Sequence, residues 1–249
     1  MASTSLQIDI GNSSAKWRLV QGEHVIARGR YRPDDEDSRR ALLAVQPAPV
    51  EILVASVATE AQESALAQML RTQWQVDSWF ARTPQRSGRL VNSYADASRM
   101  GVDRWLAMLG ALQKVEDQGT ETRLAVVDAG SALTIDLVAA SGQHEGGFII
   151  PGAQLMERAL LLDTDRVRFA EDIGYDLLPG TSTAEAVRHG IALAQVGAVS
   201  LALARAGAPQ PRVFFCGGGA EPLLQLLELD AELVPDLVFE GLQVMHARG

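Results

Sequence analysis

Apolar residues alternate at Leu6, Ile8 and Ile10, the pattern of a strand with one face against a core. The strand carries Asp9 near its end and runs into Gly11-Asn12-Ser13-Ser14, which is turn chemistry. Residues 16–20 and 24–30 predict second and third strands, with Gln21-Gly22 between them, and strands this close in sequence pair antiparallel. A charged loop over 32–37 leads into a helix over 38–45, its acids placed at the positive end of the helix dipole. A short strand is expected over 52–57, a helix over 60–73 with Leu66, Met69 and Leu70 at helical spacing, a strand over 76–80 and a helix over 100–115. The polar segment 114–122, which contains Gly119, predicts a boundary between domains 1–118 and 119–249.

After that boundary the order begins again. Strands are expected over 123–127, 133–139 and 146–150. A helix comes next, starting at Pro151-Gly152, with proline in its first turn. A long Ala-rich helix over 183–206, a strand over 213–216, a glycine turn over 217–219 and helices over 221–229 and 237–247 complete the pattern. The halves also match residue by residue: Asp9-Ile10-Gly11-Asn12-Ser13-Ser14-Ala15 is similar to Asp128-Ala129-Gly130-Ser131-Ala132. Each is an aspartate ending an apolar strand, then x-Gly, then hydroxyl or amide residues. A carboxylate beside exposed N–H groups and hydroxyls suits a phosphate held through a cation. One copy is also an ordinary hairpin sequence; two copies in equivalent places predict a paired phosphate site.

Composition narrows the function. The 249 residues carry a net charge of −9, with 47% apolar and 21% charged residues, an ordinary globular balance without the basic excess that nucleic-acid binding needs. An anionic ligand must therefore be held by local N–H groups, a few basic side chains and bound cations. The single cysteine, Cys216, excludes an intrachain disulfide and fits a reducing cytoplasm. His24, His144, His189 and His246 form no metal-binding spacing and are expected as surface or helix residues. The N-terminus has no basic stretch followed by an apolar run, so no signal peptide is expected. The longest apolar stretch, 191–204, is shorter than the ~20 residues of a membrane span and predicts a buried helix.

No P-loop, dinucleotide-binding glycine pattern or protein-kinase signature set is present. The ordered set Asp9-x-Gly11-Asn12-Ser13, Gly101-Val102-Asp103-Arg104, Asp128-Ala129-Gly130-Ser131-Ala132, Gly146-Gly147…Pro151-Gly152 and Ser182-Thr183-Ala184-Glu185-Ala186…Gly190 resembles the type III pantothenate kinases over nearly the whole chain. That family includes the Bvg accessory factors and belongs to the acetate and sugar kinase, heat-shock ATPase and actin superfamily. The resemblance implies an α/β protein of duplicated ribonuclease H-like domains, each a mixed sheet with flanking helices, with ATP in the cleft between them.

It also implies roles. Asp103 is the general base that takes the proton from the pantothenate hydroxyl. Tyr94, Gly101, Val102, Asp103, Arg104 and Thr183 contact pantothenate, and the Arg104 guanidinium suits its carboxylate. ATP is held by Asp9, Ile10, Gly11, Asn12, Ser13, Ser14, Ala15, Lys16 and Ser131. Asp9 holds Mg²⁺ through water, and Asp128 a monovalent cation, K⁺ or NH₄⁺. Ser13 and Ser131 stand where the family usually has threonine, which keeps the hydroxyl. Gly217 to Gly219 make room for adenine, and Asp136 is read as structural. The implied protein is a cytoplasmic homodimer without nucleic-acid or membrane partners, performing the first step of coenzyme A synthesis. The alternatives are a non-enzymatic accessory-factor-like regulator and a small-molecule kinase of the same fold with another acceptor. A degenerate regulator is expected to lose Asp9, Asp103 or Asp128, and all three are present.

Overall fold

The computed structural model describes residues 3–11, 15–163 and 167–248. Two compact units divide it. The first comprises 1–88, 94–113 and 238–249, and the second 89–93 and 114–237.

In the first unit, β1 (Thr4–Ile10), β2 (Ala15–Gln21) and β3 (His24–Tyr31) form the expected meander. Helix α1 (Glu36–Leu43) comes next, N-capped by Asp35, then β4 (Glu51–Ser56), α2 (Glu60–Trp74) and β5 (Ser78–Phe80). The sheet order is β3-β2-β1-β4-β5; β1 is antiparallel to β2 and parallel to β4. Period-2 alternation sends Leu6 and Ile8 into a core with Trp17, Leu19, Ile52, Val54, Leu66 and Leu70. Gln7 and Arg18, directly opposite one another, face the other way and hydrogen-bond at 2.8 Å. The short strands β6 (Arg86–Ser87) and β7 (Leu90–Val91) precede α3 (Val102–Asp117).

The second unit repeats this frame. Strands β8 (Leu124–Ala129), β9 (Ala132–Val138) and β10 (His144–Pro151) meander; α4 (Ala153–Asp163) and α5 (Thr183–Ala206) come next, then β11 (Arg212–Cys216), α6 (Ala220–Leu227) and β12 (Glu232–Leu233). The order β10-β9-β8-β11-β12 matches the first sheet strand for strand, with the same parallel and antiparallel pairings. The duplicated mixed-sheet architecture expected from the sequence is therefore present. The last helix, α7 (Leu237–Arg248), lies against the first sheet. Arg18 Nη2 donates to Gln243 Oε1 (3.3 Å), and its guanidinium sits 4.9 Å from the Phe239 ring centroid. His246 Nε2 lies 2.8 Å from Glu51 Oε1.

Three local expectations change. Pro151 ends β10, and Gly152 stands just before α4, its carbonyl accepting from Met156 N–H at 2.9 Å. His144 is no surface or helix residue: it opens β10 and is 1% exposed. Helix α5 is 24 residues long and apolar enough to cross a membrane by length and composition, and only 33% of its most apolar window is buried. It is not buried all round, since Leu193 and Leu201 stand 60% and 55% exposed.

Candidate active site

In the first unit Asp9 sits one residue before the end of β1, opposite Lys16 on β2 and Ala55 on β4. Asp9, Ile10, Gly11 and Lys16 are partly exposed, while Ala15 is buried. Asn12, Ser13 and Ser14 lie outside the described residues. At the end of β4, Val57 N–H donates to Ile10 O (3.1 Å). Val57 Cγ1 also lies 4.0 Å from the place a Cβ on Gly101 would occupy. Val57 thus links the β1 corner to the start of α3.

Gly101 O accepts from Trp105 N–H (3.2 Å), the first hydrogen bond of α3, which puts Asp103 in its first turn. A carboxylate there is favoured by the positive end of the helix dipole. A Cβ on Gly101 would lie 2.5 Å from Asp103 Oδ1, so only glycine leaves that carboxylate its place. Asp103 Oδ1 accepts from Arg104 N–H at 2.8 Å, and the residue stays partly exposed. Val102 is buried, and Arg104 is 5% exposed. Arg104 Nη1 donates to Tyr94 Oη at 3.0 Å, with its guanidinium 5.8 Å from the ring centroid, within cation–π range. Tyr94, Gly101, Val102, Asp103 and Arg104 are therefore assembled at one helix start.

The loop between Tyr94 and α3 is held locally. Asp96 accepts from Ser98 N–H (3.0 Å) and Ser98 Oγ–H (2.6 Å), and these bonds hold its exposed carboxyl below the usual range. Thr83 Oγ1–H donates to Met100 O at 2.9 Å.

In the second unit Asp128 is likewise one residue from its strand's end, opposite Thr134 on β9 and Cys216 on β11. Around it the backbone is close-knit: Gly130 N–H donates to Ala132 O (2.9 Å), Gly152 N–H to Ser131 O (3.0 Å) and Gly219 N–H to Ala129 O (2.8 Å). Gly217 has φ +91°, and a Cβ there would run into Asp128 Oδ1 and come within 2.6 Å of Ala129 O. Glycine is favoured for both reasons, and it lets this backbone approach the Asp128 carboxylate closely. Ser131 is exposed. Thr183 is the first residue of α5; the cap is Ser182, which accepts from Glu185 N–H at 3.2 Å. Thr183 also lines a cavity of about 710 Å³ between α4 and α5, with Leu155, Met156, Leu160, Val187 and Ile191.

One arrangement carried no sequence signal. His144 Nδ1 lies 2.8 Å from Ser93 Oγ and His144 Nε2 lies 3.1 Å from Asp136 Oδ1, joining residues far apart in the chain.

Known proteins share this frame. The model of the family described as type III pantothenate kinase matches residues 5–205. A type III pantothenate kinase of Marinobacter nauticus is 36% identical, with 98% of each chain covered. Among solved structures, a Campylobacter jejuni protein assigned to the Baf family of transcriptional activators has a TM-score of 0.60 at 22% identity, covering 97% of each chain. MreB 5 of Spiroplasma citri, solved with AMPPNP, has a TM-score of 0.50 at 12% identity, covering 99% of this chain and 97% of its own. Those structural likenesses speak to the fold, which is that of the actin-like ATPases. The full-length sequence similarity, carried on the same duplicated frame, goes further: the chain belongs to the type III pantothenate kinases, enzymes that phosphorylate pantothenate with ATP.

Proposed function

We propose that Asp103 takes the proton from the primary hydroxyl of pantothenate as the γ-phosphoryl group of ATP moves to that oxygen. The new bond joins the hydroxyl oxygen to the γ-phosphorus, and the bond from that phosphorus to the β–γ bridging oxygen breaks. The products are 4′-phosphopantothenate and ADP, with the proton on Asp103. The observation that carries the assignment is the start of α3, where Gly101 leaves Asp103 Oδ1 its place and the Arg104–Tyr94 pair lies beside it. A carboxylate offers about four lone-pair sites, so a partly exposed one that accepts a backbone N–H can also accept a substrate hydroxyl. Tyr94, Gly101, Val102, Arg104 and Thr183 bind pantothenate, with Arg104 toward its carboxylate.

The hairpin from Asp9 to Lys16 and Ser131 of the second hairpin bind the ATP phosphates. Among the described residues no three His, Cys, Asp or Glu side chains converge as a metal cluster. Asp9 would hold Mg²⁺ through water, and the ion would offset phosphate charge there. Asp128, one residue before the end of β8, would hold the monovalent cation, K⁺ or NH₄⁺. When bound, these ions offset the negative charge of nucleotide, substrate and protein.

The apolar side chains that α4 and α5 leave exposed, including Leu155, Leu162, Leu193 and Leu201, support a homodimer formed through that face, and the enzyme is assigned to the cytoplasm. A coupled ADP-release assay with pantothenate, with and without K⁺, on the wild type and Asp103→Asn tests the reading. Turnover unchanged in the variant refutes Asp103 as the base. A monomer by analytical ultracentrifugation refutes the dimer.

A further inference from the structure

We propose that Arg30 of β3 is a further phosphate-binding residue and forms, with Lys16, a two-cation seat for the triphosphate of ATP; the proposal rests on the hairpin from Asp9 to Lys16 holding the ATP phosphates.

The strand register of the first unit brings these residues together. Asp9 on β1 lies opposite Lys16 on β2, and Lys16 lies opposite Arg30 on β3. Residues directly opposite one another in a sheet share a face, so the three side chains form one row. It is the face that carries Gln7 and Arg18, turned away from the core of Leu6, Ile8, Trp17 and Leu19. Arg30 starts two strand spacings, about 10 Å, from Asp9. Its long side chain covers much of that distance, so a ligand held at Asp9 and Lys16 lies within its reach.

The charges in this row need a partner. Like charges directly opposite one another on adjacent strands repel at close range, with Cβ atoms about 5 Å apart. The next row sets the same problem, with Arg18 opposite Arg28. There the protein supplies the partners. Arg18 Nε donates to Gln7 Oε1 (2.8 Å) and its Nη2 to Gln243 Oε1 (3.3 Å), its guanidinium lies 4.9 Å from the Phe239 ring centroid, and Arg28 is engaged as well. In the row of Lys16 and Arg30, no side chain among the described residues hydrogen-bonds or ion-pairs with either cation. Two cations set side by side next to a carboxylate, without a protein acceptor, are completed by an anion with several charged oxygens. The net charge of −9 gives such an anion no general attraction, so a local pair must hold it. Protection of the sheet edge accounts for a charge on β3, the outer strand, but not for Lys16, which is partly exposed on the strand inside it. The exposed Arg30 guanidinium adds a planar fork for phosphate oxygens to the point charge of Lys16.

The test is steady-state kinetics on Arg30→Gln, Arg30→Lys and Lys16→Gln, with isothermal titration of inorganic tripolyphosphate and each Tm recorded with and without ATP. Arg30 is exposed and its replacement relieves the repulsion at Lys16, so Arg30→Gln should fold as the wild type does. Its KM for ATP should rise about tenfold, the scale of a charged hydrogen bond, while the pantothenate KM stays within about twofold. Its affinity for tripolyphosphate should fall by a similar factor, and the rise in Tm that ATP produces should shrink. Arg30→Lys keeps the charge without the fork and should recover part of the loss. An unchanged ATP KM in Arg30→Gln beside a raised one in Lys16→Gln overturns the role of Arg30 and keeps the hairpin. No change in either overturns both. An equal rise in the ATP and pantothenate KM values overturns the proposal, because it marks a general loss of structure.

Discussion

The two units share a strand order, and each places an aspartate one residue before the end of its first strand. They differ in the residues that leave the parallel neighbour of that strand. After β4 the first unit sets Val57, a side chain that fills space against Gly101, and then caps α2 with Thr59. After β11 the second unit sets Gly217, at φ +91°, and enters α6 through Gly219 with no side-chain cap. Asp9 faces a lysine across its hairpin, whereas Asp128 faces a threonine. The same place in the frame thus carries a branched side chain in one copy and a close backbone approach in the other. The first copy packs against the start of α3 and its carboxylate. The second brings the Gly217 backbone against Asp128.

The largest effect should separate the carboxylates. Asp103→Asn keeps an oxygen to accept Arg104 N–H, so the fold should persist, while kcat falls about 10³-fold through loss of the base. Asp128→Asn should leave a saturable activity that needs more K⁺. If both variants lose kcat alike and neither shifts the cation requirement, the division of labour between the units is wrong.

Next in size is Arg104→Ala, which removes a charged hydrogen-bonding group and should raise the pantothenate KM about 30-fold with a smaller change for ATP. Arg104→Lys keeps the charge without the planar fork and should recover only part of that loss. Isothermal titration of pantothenate provides the check, and equal affinities in all three proteins would remove Arg104 from the site.

Gly217→Ala tests the second copy directly. The added Cβ meets Asp128 and the Ala129 carbonyl in a backbone region costing a non-glycine residue about 1–2 kcal/mol. We expect the ATP KM to rise about tenfold, the pantothenate KM to hold, and the K⁺ dependence to weaken. A variant with wild-type nucleotide kinetics would mean that the close approach of Gly217 to Asp128 has no bearing on ATP.

Much of this contrast is legible in the chain, because it is written in local residues. Alternation at Leu6, Ile8 and Ile10 predicts β1, and the repeated Asp-x-Gly reveals the duplication before any coordinate. The Ala-rich run over 183–206 predicts α5. The long-range terms have no such signature. His144 looks like any strand-end histidine until the fold brings it to Asp136 and Ser93. The attachment of α7 depends on Arg18 and Glu51, roughly two hundred residues away in sequence. The two-residue β12 has too few residues to show a period, and its place is set by pairing with β11. The exposure of Leu193 and Leu201 escapes a reading of composition because an apolar helix reads alike whether its own unit covers one side of it or all of it.

The smallest prediction compares the caps. Helix α2 begins with a neutral box, in which Thr59 N–H donates to Gln62 Oε1 (3.1 Å) and Gln62 N–H to Thr59 Oγ1 (3.4 Å). Helix α5, which carries Thr183, begins with a charged one: Ser182 N–H, Thr181 N–H and Thr181 Oγ1–H all donate to Glu185 Oε2, at 3.2, 2.6 and 2.8 Å. The Thr181 N–H bond, followed by its hydroxyl, holds the Glu185 carboxyl below its ordinary value of 4.5. A depressed folded value stabilises the protein above the unfolded value and ceases to do so as pH falls through the folded one. Thr59→Ala and Ser182→Ala should each cost about 1 kcal/mol at neutral pH. The cost of Glu185→Gln, which keeps an acceptor but no charge, should shrink as pH drops below about 4, while that of Thr59→Ala should not. Chemical denaturation at pH 7 and near pH 3.5 measures both. A Glu185→Gln penalty that is the same at both pH values would show that the charge on this cap contributes nothing to holding Thr183 at the head of α5.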